Sequence, residues 1–261
     1  MPSPLFNEFE FVGYHYYLTH NIEEYEKRPI QIMPIHNGKE TKIIKLINDT
    51  ESIRENCTIY CHSNYSSSLK TVVQSRFDLE FSAASKVKAK GVVFHLPKIP
   101  IPQLMDSVKL LIESRNKYLT NGKIFILLEV IACIPSKNLS YETPEMINKL
   151  YEALEQNFGL ELDSIGFVPD TAHLHCSEVS ITTKEQAEKW FNQIKYKHFI
   201  KLIHLNGNST TTHKDKHALP FDGDDYIWNK ISYDDSGVKV FIDFAKDNNI
   251  DVIIEEKDSS E

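Results

Sequence analysis

Residues 165–176 read IGFVPDTAHLHC. The apolar run Ile165 to Val168 is short enough for a buried strand, and Asp170, His173 and His175 follow it at once. A carboxylate and an imidazole three residues apart behind a buried strand are costly unless something binds them. Seven more short apolar runs recur along the chain: FVGYHYYL from Phe11, PIQIMPI from Pro29, CTIYCH from Cys57, GVVFHL from Gly91, KIFILLEV from Lys123, FIKLIHLN from Phe199 and DVIIEE from Asp251. Most are rich in Val, Ile, Phe and Tyr, as strands are.

Helix-like segments separate these runs. Residues 99–119 place Leu104, Val108, Leu111 and Ile112 on one face. Residues 143–159 open with Thr143 as a cap, Pro144 and Glu145, and stop at Gly159. Residues 236–249, SGVKVFIDFAKDNN, read as the last helix. Strands alternating with helices mean parallel strands joined by crossovers. Eight of them predict a (β/α)8 barrel occupying residues 1–261 as a single domain, the usual size of that fold being ~250 residues. Only KDSSE follows the eighth run, so the eighth outer helix is expected to be missing.

Composition narrows the class. The chain has 261 residues, 41% of them hydrophobic and 25% charged, with a formal net charge of −8. That is an ordinary globular balance, and it argues against a protein that coats nucleic acid through net charge. No apolar run approaches the ~20 residues of a membrane span, and the first residues do not read as a secretory leader. The expectation is the cytoplasm or nucleus, in a cellular or a viral setting. The four cysteines are scattered, Cys57 and Cys61 have no matching second pair, and reduced thiols are expected.

In such a barrel the active site lies at the carboxyl ends of the strands. The third run ends in His62, the fourth in His95, the fifth in Glu129 and the sixth in Asp170, with His173 just beyond. The seventh contains His204, with Asp215 and His217 on its loop, and the eighth ends in Glu255 or Glu256. Five histidines and four carboxylates therefore converge on one rim. Carboxylates crowded into one pocket repel and take up protons unless cations neutralise them. Mixed imidazole and carboxylate suits zinc or manganese better than calcium. Nine such residues exceed one tetrahedral zinc and suit two or three metals.

This constellation resembles endonuclease IV, the zinc-dependent family of apurinic/apyrimidinic endonucleases with a TIM-barrel fold. The likeness runs from FVGYHYYL to VIIEE. Its strongest motifs are DTAH at Asp170–His173, HLN at His204–Asn206 and DKH at Asp215–His217, supported by His62 with Tyr65, His95, Glu129 and Glu255. The resemblance implies three zinc ions: one held by His62 and His95, a second by Asp170, His204 and Glu255, with Glu129 bridging the two, and a third by His173, Asp215 and His217. It implies hydrolysis of the phosphodiester 5′ to an abasic site, leaving a 3′-hydroxyl and a 5′-deoxyribose phosphate, with Glu129 central to catalysis. The implied partner is double-stranded DNA carrying abasic sites, bound by a monomer with no membrane involved. The resemblance implies a DNA contact at Tyr65, while Lys39, Lys98, Lys137 and Lys214 read as candidate contacts to the phosphate backbone.

The sequence departs from the family in loops. VIAC at Val130–Cys133 replaces a Gly-rich continuation, Leu96-Pro97 replaces Pro-Gly, and Asn206 is followed by Gly207 rather than an acid. The second loop, PIHNGKE, lacks the family's arginine, with Lys39 the nearest cation. Pro169 is unusual inside a parallel strand because it cannot donate to the ladder. Two other classes meet part of the pattern. A sugar isomerase or epimerase of a related barrel needs only Glu129, Asp170, His204 and Glu255. A DNA-binding relative that keeps metals for stability while losing efficient catalysis would retain all nine. Trp190 and Trp228 read as core packing, and His15 as a rim or pocket residue.

Overall fold

In a computed structural model of the chain, the described residues are 6, 8–16, 27–36, 39–40, 43–53, 57–119, 123–132, 139–211 and 214–255. Eight strands form one sheet: β1 (Val12–His15), β2 (Ile30–Ile32), β3 (Ile59–His62), β4 (Gly91–His95), β5 (Phe125–Glu129), β6 (Ile165–Val168), β7 (Leu202–His204) and β8 (Asp251–Ile254). All eight fall within the apolar runs of the sequence. Their spatial order is β6-β5-β4-β3-β2-β1-β8-β7, and every pairing is parallel. The ends of that order meet. Lys201 N donates to Phe167 O at 3.2 Å and His204 N donates to Pro169 O at 3.0 Å. The sheet thus closes into the expected (β/α)8 barrel. Pro169 lies just past β6 and contributes only its carbonyl, so its missing N–H leaves no gap in the ladder.

Helices α1 (Ile43–Ile53), α2 (Gln74–Lys86), α3 (Ile101–Lys117), α4 (Pro144–Phe158), α6 (Lys184–Gln193) and α7 (Gly237–Asn248) cover the outside, while the short α5 (Thr171–Cys176) lies at the carboxyl-terminal rim after β6. Their ends follow local chemistry. Thr143 Oγ1 accepts from Met146 N at 3.3 Å with Pro144 in the first turn, and Gly159 ends α4 at φ 48°. Thr183 and Gln186 cap α6 reciprocally. Among the described residues no helix follows β8. The crossover between β1 and β2 includes residues 17–26, outside the described residues.

The outward strand residues and the helices enclose the main core. Phe77 and Phe81 of α2 both pack on Phe94 of β4 at ring-centroid distances of 5.7 Å. Trp190 and Trp228 are buried as expected, each donating its indole N–H to a backbone carbonyl at 3.1 Å. Tyr60, Val93, Leu127, Val168, Leu202 and Ile253 fill the barrel interior. That second set positions the site. Side chains alternate across a strand, so the next inward position lies two residues on. Those positions are His62, His95, Glu129, Asp170, His204 and Glu255. The layer that plugs the barrel hands its direction to the layer above it.

Candidate metal centre

Glu129 sits at the centre of that upper layer and is fully buried. Its two carboxylate oxygens face different groups. Oε2 lies 3.0 Å from His62 Nε2 and 3.2 Å from His95 Nε2. Oε1 lies 3.1 Å from His204 Nδ1. His204 Nδ1 in turn lies 3.8 Å from Asp170 Oδ2 and 3.5 Å from Glu255 Oε2. The register explains the first group, since His95 and Glu129 are direct neighbours on β4 and β5.

A local device builds the Asp170–His173 pair. Asp170 caps α5, its Oδ1 accepting from His173 N at 2.8 Å. The cap fixes His173 in the first helical turn, on the same side as the Asp170 carboxylate. His173 Nε2 then reaches Asp215 Oδ2 at 3.2 Å and His217 Nε2 at 3.4 Å. His217 Nε2 lies 3.0 Å from Asp215 Oδ1 and 3.8 Å from Asp170 Oδ2. Asp170 therefore adjoins the third group as well as the second, a sharing the sequence does not reveal.

Asp215 and His217 come from an antiparallel hairpin, Gly207–Asn208 pairing with His217–Ala218. Asp225 ties this hairpin down. Its buried carboxylate accepts from the backbone N–H groups of Asn208, Phe221, Ile227 and Trp228 at 2.8–3.3 Å. A Cβ at position 207 would come within 2.7 Å of the Asp225 carboxylate carbon. Glycine after Asn206 is thus required by the approach of Asp225.

The imidazoles are aimed by their second nitrogens. His62 Nδ1 donates to Ser63 O at 2.9 Å and His173 Nδ1 to Val130 O at 2.7 Å, leaving both Nε2 atoms facing carboxylates. His204 is turned the other way. Its Nε2 donates to Gln31 Oε1 at 2.9 Å, so its Nδ1 faces the site. Asn206 Nδ2 donates to Asp170 Oδ2 at 2.6 Å and to Glu255 Oε2 at 3.2 Å, while its Oδ1 accepts from Glu255 N at 2.7 Å. Gln31, Asp225 and the supporting role of Asn206 escape sequence reasoning. Inward parity opposite Tyr60 is the signal that could have found Gln31.

The electrostatics are set by carboxylates and imidazoles packed against one another. Burial opposes the charged form of His62, yet the Glu129 carboxylate outweighs it and lifts the imidazole to about 9. His217 rises to about 9 against burial because Asp170, Asp215 and Glu255 surround it. His173 and His204 also move upward against burial, through the carboxylates beside them. Burial disfavours ionised Glu129, but the charges of His204 and His95 hold it well below the ordinary carboxylate range. Desolvation opposes the charged form of the half-buried Glu255 too, yet it drops to about 2 beside His204. Asp170 moves upward, chiefly through burial.

The donor set fits metals. Three groups have ligand atoms within 4.8 Å of one another: His62, His95 and Glu129; Glu129, Asp170, His204 and Glu255; and Asp170, His173 and His217. Tetrahedral zinc with ligands at ~2.0–2.1 Å has ligand-to-ligand edges of roughly 3.3 Å. The closest separations here, 3.0–3.5 Å, are of that size. All nine rim residues read from the sequence meet at one centre. Glu255 is among them, while Glu256 lies outside the described residues.

The expected DNA contacts are less uniform. Tyr65 stands 75% exposed at the rim, its ring 5.5 Å from that of His95. Lys214 is exposed on the hairpin beside Asp215, and Lys98 is half-buried after β4. Lys39 pairs through its backbone with His36; its side chain is outside the described part, as is Lys137.

No family model matches the chain. It is 24% identical over 237 residues to a protein of African swine fever virus named probable AP endonuclease, covering 86% of this chain and 74% of that one. The solved structure of AsfvAP:AG superimposes with a TM-score of 0.74 at 21% identity, over 90% of this chain and 79% of that chain. Endonuclease IV from Thermus thermophilus gives 0.68 at 14% identity, over 95% and 93%. D-psicose 3-epimerase from Clostridium cellulolyticum gives 0.56 at 12%, over 94% and 84%. The chain shares the TIM-barrel fold of these structures.

Proposed function

We propose that this protein is a metal-dependent apurinic/apyrimidinic endonuclease of base excision repair, working as one barrel domain in the cytoplasm or nucleus. It would cleave the phosphodiester 5′ to an abasic site in duplex DNA and leave a 3′-hydroxyl and a 5′-deoxyribose phosphate. The observation that carries this reading is Glu129, whose two oxygens face separate ligand groups with a third group alongside. Three zinc ions per chain, or manganese in their place, suit the donors. Bound divalent cations would supply a nucleophile at neutral pH and neutralise charge building on the phosphate.

The chain's own residues do the rest. Glu129 holds the first two groups at a fixed spacing. Asp170 and His173 join the second group to the third through the α5 cap. Ser63 O, Val130 O and Gln31 aim the imidazoles, so the donors are already directed. Tyr65, whose ring lies 5.5 Å from that of His95, would fill the gap left by an extruded abasic nucleotide. Lys214 and Lys98 would contact the phosphate backbone and fix register.

The test is incision of a duplex with one abasic site, with both product ends identified. Cleavage that stops on chelation and returns with zinc or manganese supports the reading. An inert protein with full metal content refutes it. A second reading has one observation in its favour: Glu129, Asp170, His204 and Glu255 form a group on their own, which would serve a sugar isomerase or epimerase. That reading leaves His62, His95, His173, Asp215 and His217 without work.

A further inference from the structure

Three histidines of the centre have their outer nitrogen fixed by a hydrogen bond, and one of these bonds differs in kind. His62 and His173 are held by backbone carbonyls, which no substitution removes. His204 is held by a side chain, Gln31. We infer that Gln31 is the positioning residue of the second metal group, fixing the ring of His204 and the carboxylate of Glu255 at once.

The geometry supports this directly. Gln31 is fully buried between Ile30 and Ile32, which point outward into the core. In register it sits beside His15 of β1 and Tyr60 of β3, so its side chain belongs to the inward layer. Its Oε1 accepts from His204 Nε2 at 2.9 Å. Its Nε2 donates to Glu255 Oε1 and lies 3.4 Å from His15 Nδ1. A buried amide is expensive unless its polar atoms are matched, and two of this one's three partners belong to the metal centre.

The consequence for His204 is a choice of nitrogen. With the Nε2 proton committed to Gln31, Nδ1 is the lone-pair donor and points at Glu129, Asp170 and Glu255. Without that acceptor the ring is free to exchange tautomers. Glu255 also loses a donor that holds one oxygen aside while the other faces His204. Supporting partners of this kind carry about ten- to a hundredfold in metal affinity.

This inference rests on the metal-centre reading, and its test does not use incision. Gln31→Met keeps length and volume and removes both functions. Zinc affinity is read by competition with a chromophoric chelator, and the melting temperature is read on the chelated protein. One of the three zinc ions should weaken ten- to a hundredfold in Gln31→Met, with the chelated proteins melting alike. Unchanged zinc affinity with a lowered melting temperature would make Gln31 a core residue only and overturn the inference. Should the variant fail to fold, the zinc-loaded wild type answers by long-range proton–nitrogen NMR. His204 must carry its proton on Nε2 and its metal on Nδ1; the opposite assignment overturns the inference. Wild-type protein that takes up no zinc removes the inference and the metal centre together. Full zinc uptake without incision removes the nuclease reading alone.

Discussion

The two ends of this barrel balance charge in opposite ways. At the amino-terminal mouth, Tyr60 donates to Asp251 Oδ2 at 2.7 Å and Lys90 Nζ lies 2.9 Å from the same oxygen. One carboxylate meets one ammonium and one hydroxyl, and nothing further is needed. At the carboxyl-terminal rim, Glu129, Asp170, Asp215 and Glu255 crowd against five imidazoles. There charge balance depends on protons that divalent cations can replace. The same alternating strands deliver both layers, so the fold alone does not explain the difference. A single charge matched at the mouth serves stability, whereas a rim crowded with ligand-type groups has the composition of a binding site.

The sharpest way to break this contrast is Glu129→Gln. The amide keeps shape and loses the charge shared between two ligand groups. Incision should fall by more than a thousandfold, about 4 kcal/mol of barrier, with the fold retained by circular dichroism. A wild-type rate with zinc in excess would remove Glu129 from the mechanism.

A smaller effect belongs to Tyr65→Ala at the exposed edge of the rim. Stacking on a neighbouring base recovers ~1–3 kcal/mol, so binding to an abasic duplex should weaken by roughly ten- to a hundredfold. Metal content should not change, and a single-stranded abasic substrate should be little affected. Equal losses on both substrates would make Tyr65 a loop-packing residue.

Smaller again is the pH response of the metal-free protein. His62 and His217 rise to about 9 in the fold, from an unfolded value near 6.5. Groups raised in this way stabilise fully below the unfolded value, and their contribution is lost as pH climbs through about 9. The chelated protein should therefore melt several degrees lower at alkaline pH than near pH 6. The zinc-loaded protein should lack that decline, because its imidazoles carry no such protons. Parallel curves for the two forms would contradict the assignment.

The least effect is expected at the mouth. Asp251→Asn leaves Tyr60 an acceptor and removes the charge opposite Lys90, which is partly exposed. A loss of about 1 kcal/mol in stability is expected, with metal content and incision untouched. A change in zinc stoichiometry would show that the two ends are coupled.

Much of this was legible in the sequence because strands impose a parity. Every barrel strand fell within an apolar run, and charged residues two positions beyond inward apolar ones had to face the axis. His62, His95, Glu129, Asp170, His204 and Glu255 were visible because each lies at or near the carboxyl end of such a run, and the parity then accounts for why they face one another. Gln31 was not, since an uncharged amide inside PIQIMPI reads as a mere interruption of an apolar run. Asp225 was hidden because its partners are backbone N–H groups of an irregular loop, which leave no periodic mark. The sharing of Asp170 between two groups was equally invisible, since it arises when α5, capped by Asp170 itself, meets the Gly207–Ala218 hairpin. Lys39 lies in a two-residue antiparallel ladder with His36, and its side chain is outside the described part.

The central claim is that the rim is a centre for three metals, and elemental analysis tests it most directly. Protein purified without chelator should carry close to three divalent metal ions per chain, zinc foremost. One ion per chain, or none, would contradict the account.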